Sequence, residues 1–142
     1  MYQRDFILRM IEMLAELVAG IFGLIKEGDF QKASQSIESA YQDLLKEDST
    51  FFNKIPLNEL TNHLVREHNY TNGHLEILSE LFYAQAELLF AQKNYSECLG
   101  FYQKSLYLLE FVIKESQTFS FEKQSKISAL KNRITELENE SS

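Results

Sequence analysis

The chain reads as an all-α protein of about six helices, and three features of its sequence carry that expectation. Apolar residues recur at helical spacing along most of its length. Leucine far outnumbers valine, and there are five Gly and one Pro, so helix formers outweigh the β-branched residues that favour strands. Turn signals at Glu27-Gly28-Asp29 and Lys93-Asn94 divide the periodic stretches into pairs, which predicts antiparallel helix hairpins. A chain of 142 residues buries roughly two-thirds of its unfolded surface, enough for one core, and the prediction is a single domain over 1–142.

The first hairpin is expected over 5–47. Its first helix carries two adjacent stripes, Ile7, Ile11, Leu14, Val18, Ile21 and Ile25 beside Phe6, Met10, Met13, Leu17 and Leu24, an apolar arc that needs more than one neighbour. Asp5, Arg9, Glu12 and Glu16 form its polar remainder, and the small residues Ala15, Ala19 and Gly23 would let another helix approach closely. The second helix follows through Ala33, Ile37, Ala40, Tyr41 and Leu44 and stops at the polar run Lys46-Glu47-Asp48-Ser49. Residues 48–72 form an irregular segment, in which Pro56 opens a short helix through Leu57, Leu60, Leu64 and Val65, and Asn69 to Gly73 reads as a loop. A second hairpin spans 73–117, through Leu78, Leu81, Phe82, Leu88 and Leu89 and then Leu99, Tyr102, Leu106, Leu109 and Ile113. Ser120 is placed to cap a last helix over 120–139, whose narrow seam of Ile127, Leu130, Ile134 and Leu137 leaves the other face to water.

The two hairpins repeat one another. The turns at Gly28 and Lys93 stand 65 residues apart, each followed by an aromatic residue and then a small one, Phe30 and Ala33 or Tyr95 and Cys98. Phe82, Ala86, Leu89, Cys98, Tyr102 and Ser105 in the second hairpin, and Leu17, Leu24, Ala33, Ile37 and Ala40 in the first, resemble the large, small and aromatic positions of the tetratricopeptide repeat. Departures are Leu89 at an aromatic place and Ile21 at the glycine place, with Gly20 one residue early. That resemblance implies hairpins stacked as a short right-handed array. Over its full length the chain also resembles a family of small uncharacterised bacterial proteins that open with Met-Tyr-Gln, Asp-Phe-Ile and Arg-Met-Ile-Glu, as Met1 to Glu12 do here.

Tetratricopeptide arrays bind peptides along the first helix of each hairpin. Carried over, this geometry selects Val18, Phe22 and Ile25 with Glu80, Tyr83, Glu87 and Phe90 as partner-binding residues. The set holds no Lys, Arg or Asn to clamp a peptide carboxylate, so it points to an apolar helix from a protein or peptide partner, from a second copy, or from the chain's own middle or last helix. A protein-interaction or scaffold module is the functional expectation, with a structural homodimer through the apolar first helix as the alternative.

A net charge of −7 disfavours nucleic acid and anionic membrane as partners. Charges interrupt the apolar N-terminal stretch, leaving neither a signal-peptide core nor a membrane span. The lone Cys98, set among apolar positions, reads as a buried thiol in a reducing cytoplasm. Neither a glycine-rich phosphate loop nor a nucleophile elbow is present, so no catalytic residues and no cofactor are expected. His63, Glu67, His68 and His74 lie close in sequence but match no defined metal motif, and they read as solvated loop residues, the less favoured alternative being a metal site or enzyme built on them.

Overall fold

The computed structural model describes residues 2–117 and 120–140, and the side chains from residue 8 onward within them. The fold among these residues is all-α: α1 (Tyr2–Lys26), α2 (Phe30–Leu45), α3 (Ser49–Asn53), a 3-10 turn (Leu57–Glu59), α4 (Leu60–Asn62), a π-turn (His63–Glu67), α5 (Asn72–Ala91), α6 (Tyr95–Ser116) and α7 (Phe121–Glu140).

The internal repeat is visible in the backbone. After α1 the N–H groups of Gly28 and Asp29 donate to Ile25 and Leu24 at 3.0 and 2.9 Å, and after α5 those of Lys93 and Asn94 donate to Phe90 and Leu89 at 3.0 and 2.8 Å. Both turns pass through the left-handed region, Gly28 at φ 81° and Lys93 at φ 64°. These bonds satisfy carbonyls that a helix end leaves orphaned, and the left-handed residue reverses the chain. A residue with a Cβ is strained there, so Lys93 holds the second turn at a small cost that Gly28 avoids.

The segment expected to be irregular is more helical than its sequence suggests. Lys46 ends α2 in a left-handed conformation, and two residues later the Asp48 carboxylate accepts the Phe51 N–H at 3.1 Å and starts α3. One polar run thus closes one helix and caps the next. The backbone bond from Phe51 also holds the Asp48 carboxyl below its usual range. α3 is tied back to α2 by Glu38, which accepts from the Ser49 N–H and hydroxyl at 3.1 and 2.6 Å. Pro56 does open a short helical stretch, but as a 3-10 turn that passes through α4 into a π-turn, and α5 starts at Asn72, inside the expected loop, capped by Thr71.

α5 is the central helix. It packs against α1, α2 and α6, and α6 in turn packs against α7. The larger core joins α1 and α2 to residues 52–64 and α5, with Tyr41 stacked on Phe52 at 5.6 Å and tilted against Phe82 at 6.4 Å. A smaller core gathers Ala86, Cys98, Tyr102 and Leu109 around Ile127, Leu130 and Leu137 of α7. Cys98 is fully buried, and burial pushes its thiol up, as the apolar setting predicted. α5 and α6 approach closely through two serines: each hydroxyl, Ser79 and Ser105, donates to the other residue's carbonyl at 2.8 Å. The Ser120 hydroxyl accepts the Lys123 N–H at 3.3 Å, confirming the expected N-cap of α7.

Buried tyrosines give the fold a defined alkaline limit. The Tyr41 hydroxyl donates to Gln85 at 2.7 Å and the Tyr102 hydroxyl to Glu87 at 2.8 Å. Burial first, and then a nearby carboxylate, pushes Tyr41, Tyr83 and Tyr102 up and takes Tyr70 to about 12. The unfolded chain releases these protons near pH ~10, whereas the folded chain retains them. Their stabilisation is therefore complete below pH ~10 and is lost as pH rises through the folded values. Stability measured by urea unfolding should fall steadily above pH ~10, with phenolate absorbance appearing in step with unfolding. Free ionisation of all seven tyrosines near pH ~10 with helicity intact would contradict this.

Candidate functional site

Of the residues expected to line a groove, Val18 is buried in the larger core. Phe22 and Ile25 are half-buried against the same core, and Phe22 meets Tyr83 edge-on at 5.7 Å. On α5, Glu80, Tyr83, Glu87 and Phe90 are also half-buried, and α7 lies along this face. Lys123 pairs with Glu76 at 3.4 Å, Lys126 pairs with Glu80 and sits 4.6 Å from the centre of the Tyr83 ring, and the Arg133 guanidinium lies 3.9 Å over Phe90. The contacts advance together along both helices, so α7 runs parallel to α5.

The sequence leaves the face of α7 outside its narrow seam to water, yet Lys123, Lys126 and Arg133 beside that seam engage α5. Their positions at 123, 126 and 133 follow a helical stripe that borders the apolar seam, and they meet an acidic and aromatic stripe on α5 at 76, 80, 83 and 90. Matching those two stripes by charge is the signal that could have revealed the docking. Burial brings the Lys126 ammonium down to about 8, against the opposing pull of Glu76.

The outer face of α1 is open. Leu8 is 50 % and Met13 63 % exposed, and Arg9, Glu12, Ala15, Glu16, Ala19, Gly23 and Lys26 are exposed as well. A Cβ added at Gly20 or Gly23 would meet nothing within 4 Å. Met13 therefore departs from the expected apolar stripe, because α2 and α5 cover only the opposite side of the helix. Its side chain instead borders a cleft of about 610 Å³ between α1 and α2, which Leu17 and Leu24 line from one side and Gln35, Ser39 and Asp43 from the other.

Three members of the histidine segment converge. His63 Nδ1 lies 2.8 Å from Glu67 Oε2, and the His63 and His68 rings are 5.1 Å apart. His74 is elsewhere employed: its Nδ1 accepts the Thr71 N–H at 3.1 Å in the capping box that starts α5, and its ring stacks on Tyr70 at 4.9 Å.

No family model, curated protein or solved structure matches this chain. No helix among the described residues is long and apolar enough to cross a membrane.

Proposed function

We propose that the chain is a protein-interaction module of tetratricopeptide-like architecture that works as a homodimer through the outer face of α1. The packing order supports the architecture, since α5 contacts both helices of the preceding hairpin and the same turn recurs in both hairpins. The acidic net charge and the inert buried Cys98 accord with a role in the cytoplasm and with a scaffold rather than a catalyst. α7 already rests on the acidic and aromatic face of α5, which weighs against a foreign peptide there.

The observation that carries the proposal is the self-complementarity of the exposed seam Leu8, Glu12, Ala15, Ala19, Gly23 and Lys26. Two copies laid antiparallel about a two-fold axis at Ala19 bring each Glu12 opposite Lys26 of the other copy and each Ala15 opposite its Gly23, with Ala19 meeting itself. Small side chains at the crossing let the backbones approach, and the paired charges fix the register.

Light scattering across a concentration series tests this directly. The wild-type chain should have twice the monomer mass. Ala19→Arg, which sets like charges against each other on the axis, should give a monomer of unchanged helicity. Glu12→Lys should weaken the dimer, and combining it with Lys26→Glu should restore it. A wild-type monomer at about 100 μM, a concentration that detects even weak pairing, would reject the proposal.

A further inference from the structure

We propose that His63, Glu67 and His68 form a binding site for a divalent first-row transition ion of the zinc type. Each residue offers one ligand atom, and the three atoms lie within 4.8 Å of one another. Two imidazoles and one carboxylate suit zinc, cobalt or nickel, whereas a single carboxylate gives too few oxygens for calcium or magnesium. Water would complete the coordination.

The backbone explains why these three meet. In a regular α-helix residues five apart point about 140° away from each other, so His63 and His68 would diverge. Here residues 63–67 form a π-turn, whose wider i→i+5 winding brings the fifth residue back over the first. Glu67 and His68 then flank His63 on one side of the turn. The chain reverses immediately afterwards at Asn69, which is left-handed at φ 57°, and Tyr70 donates its N–H to Leu64 at 3.0 Å, closing the turn on itself. A π-turn exchanges regular helix bonding for local geometry, and its occurrence where, among the described residues, two histidines and a carboxylate converge is the central observation.

The surroundings suit a metal as well. Phe51 meets the His68 ring edge-on at 4.9 Å and lies 6.3 Å from His63, giving both imidazoles an apolar wall on one side. Their other side is open, with the His63 side chain 35 % and the Glu67 side chain 63 % exposed, so an ion has a path in. Bonds of about 2.0–2.2 Å in tetrahedral geometry require ligand atoms about 3.4 Å apart, a contraction that rotation of exposed side chains can supply. Glu67 already orients His63 through its Nδ1, and binding would exchange that shared hydrogen for the ion.

Titration of tag-free full-length protein with zinc, followed by calorimetry, and with cobalt, followed by its visible absorption, tests the site. One ion per chain is expected at pH 7.5. His63→Ala and His68→Ala should each weaken binding at least tenfold, Glu67→Gln less, and His74→Ala not at all. Circular dichroism on each variant confirms that the fold persists. Absence of saturable one-to-one binding, or binding unchanged in both His63→Ala and His68→Ala, overturns the proposal.

Discussion

Phe82→Ala should destabilise the protein by about 3–5 kcal/mol, a large part of the roughly 5–15 kcal/mol that holds a domain of this size together. Phe82 is completely buried on α5, where both hairpins meet. Its ring lies 6.4 Å from Tyr41 of α2 and 5.8 Å from Phe101 of α6, and the Lys104 ammonium stands 5.8 Å over it. Lys104 also donates to the Asn53 carbonyl at 3.2 Å, so the α3 end of the chain is fastened beside the same ring. Truncation would open a cavity that three helices would have to close together, and none can move without disturbing its other contacts. Urea unfolding followed by circular dichroism measures the loss. Phe121→Ala is the control: that ring is 81 % exposed, and the change should stay within about 0.5 kcal/mol. A loss below about 1 kcal/mol for Phe82→Ala would mean the hairpins do not depend on this joint.

Phe82 also shows what was legible beforehand. It is the large residue of a repeat, and on the same pattern Ala33, Ile37, Ala40, Ala86, Cys98, Tyr102 and Ser105 are buried, while Leu17, Leu24 and Leu89 are half-buried. Helical period and repeat spacing report which side of a helix faces inward, and they did so for α2, α5, α6 and the seam of α7. On α1 they failed on one flank. The wide arc there includes Met13, and periodicity alone does not say how many neighbours arrive; α2 and α5 leave Met13 uncovered. Phe6 and Ile7 of the same stripes lie outside the described side chains. Between residues 48 and 72 the elements are too short for a period to register, so α3 and the π-turn were hidden until their caps and hydrogen bonds could be seen. The convergence of His63 with His68 depends on that π-turn, and a five-residue separation read on an ordinary helix points the two apart.

α7 raises a different problem, because its docking combines a thin apolar seam with charge pairing. Ile127, Leu130 and Leu137 are buried, and the pairs from Lys123 and Lys126 to α5 are themselves mostly withdrawn from water, where the cost of desolvating the charges offsets much of their attraction. The seam therefore supplies most of the attachment. Leu130 is 1 % exposed at its middle, and Leu130→Asp would force a carboxylate into that apolar contact at a cost of several kcal/mol.

The expected result is local. The larger core joins α1 and α2 to α5 and takes in Leu108 and Val112 of α6, and none of its buried residues comes from α7. Amide hydrogen exchange in Leu130→Asp should rise throughout 121–140 and stay slow in α2 and α5. Glu80, Tyr83, Glu87 and Phe90 would then lose their cover, and protection around them shows how far α5 depends on it. If the variant instead unfolds in a single transition, the smaller core is indispensable and α7 is a structural member of the array. If α7 detaches and the remainder holds, the chain contains a groove filled by its own last helix, and the acidic and aromatic stripe of α5 becomes a second surface beside the outer face of α1.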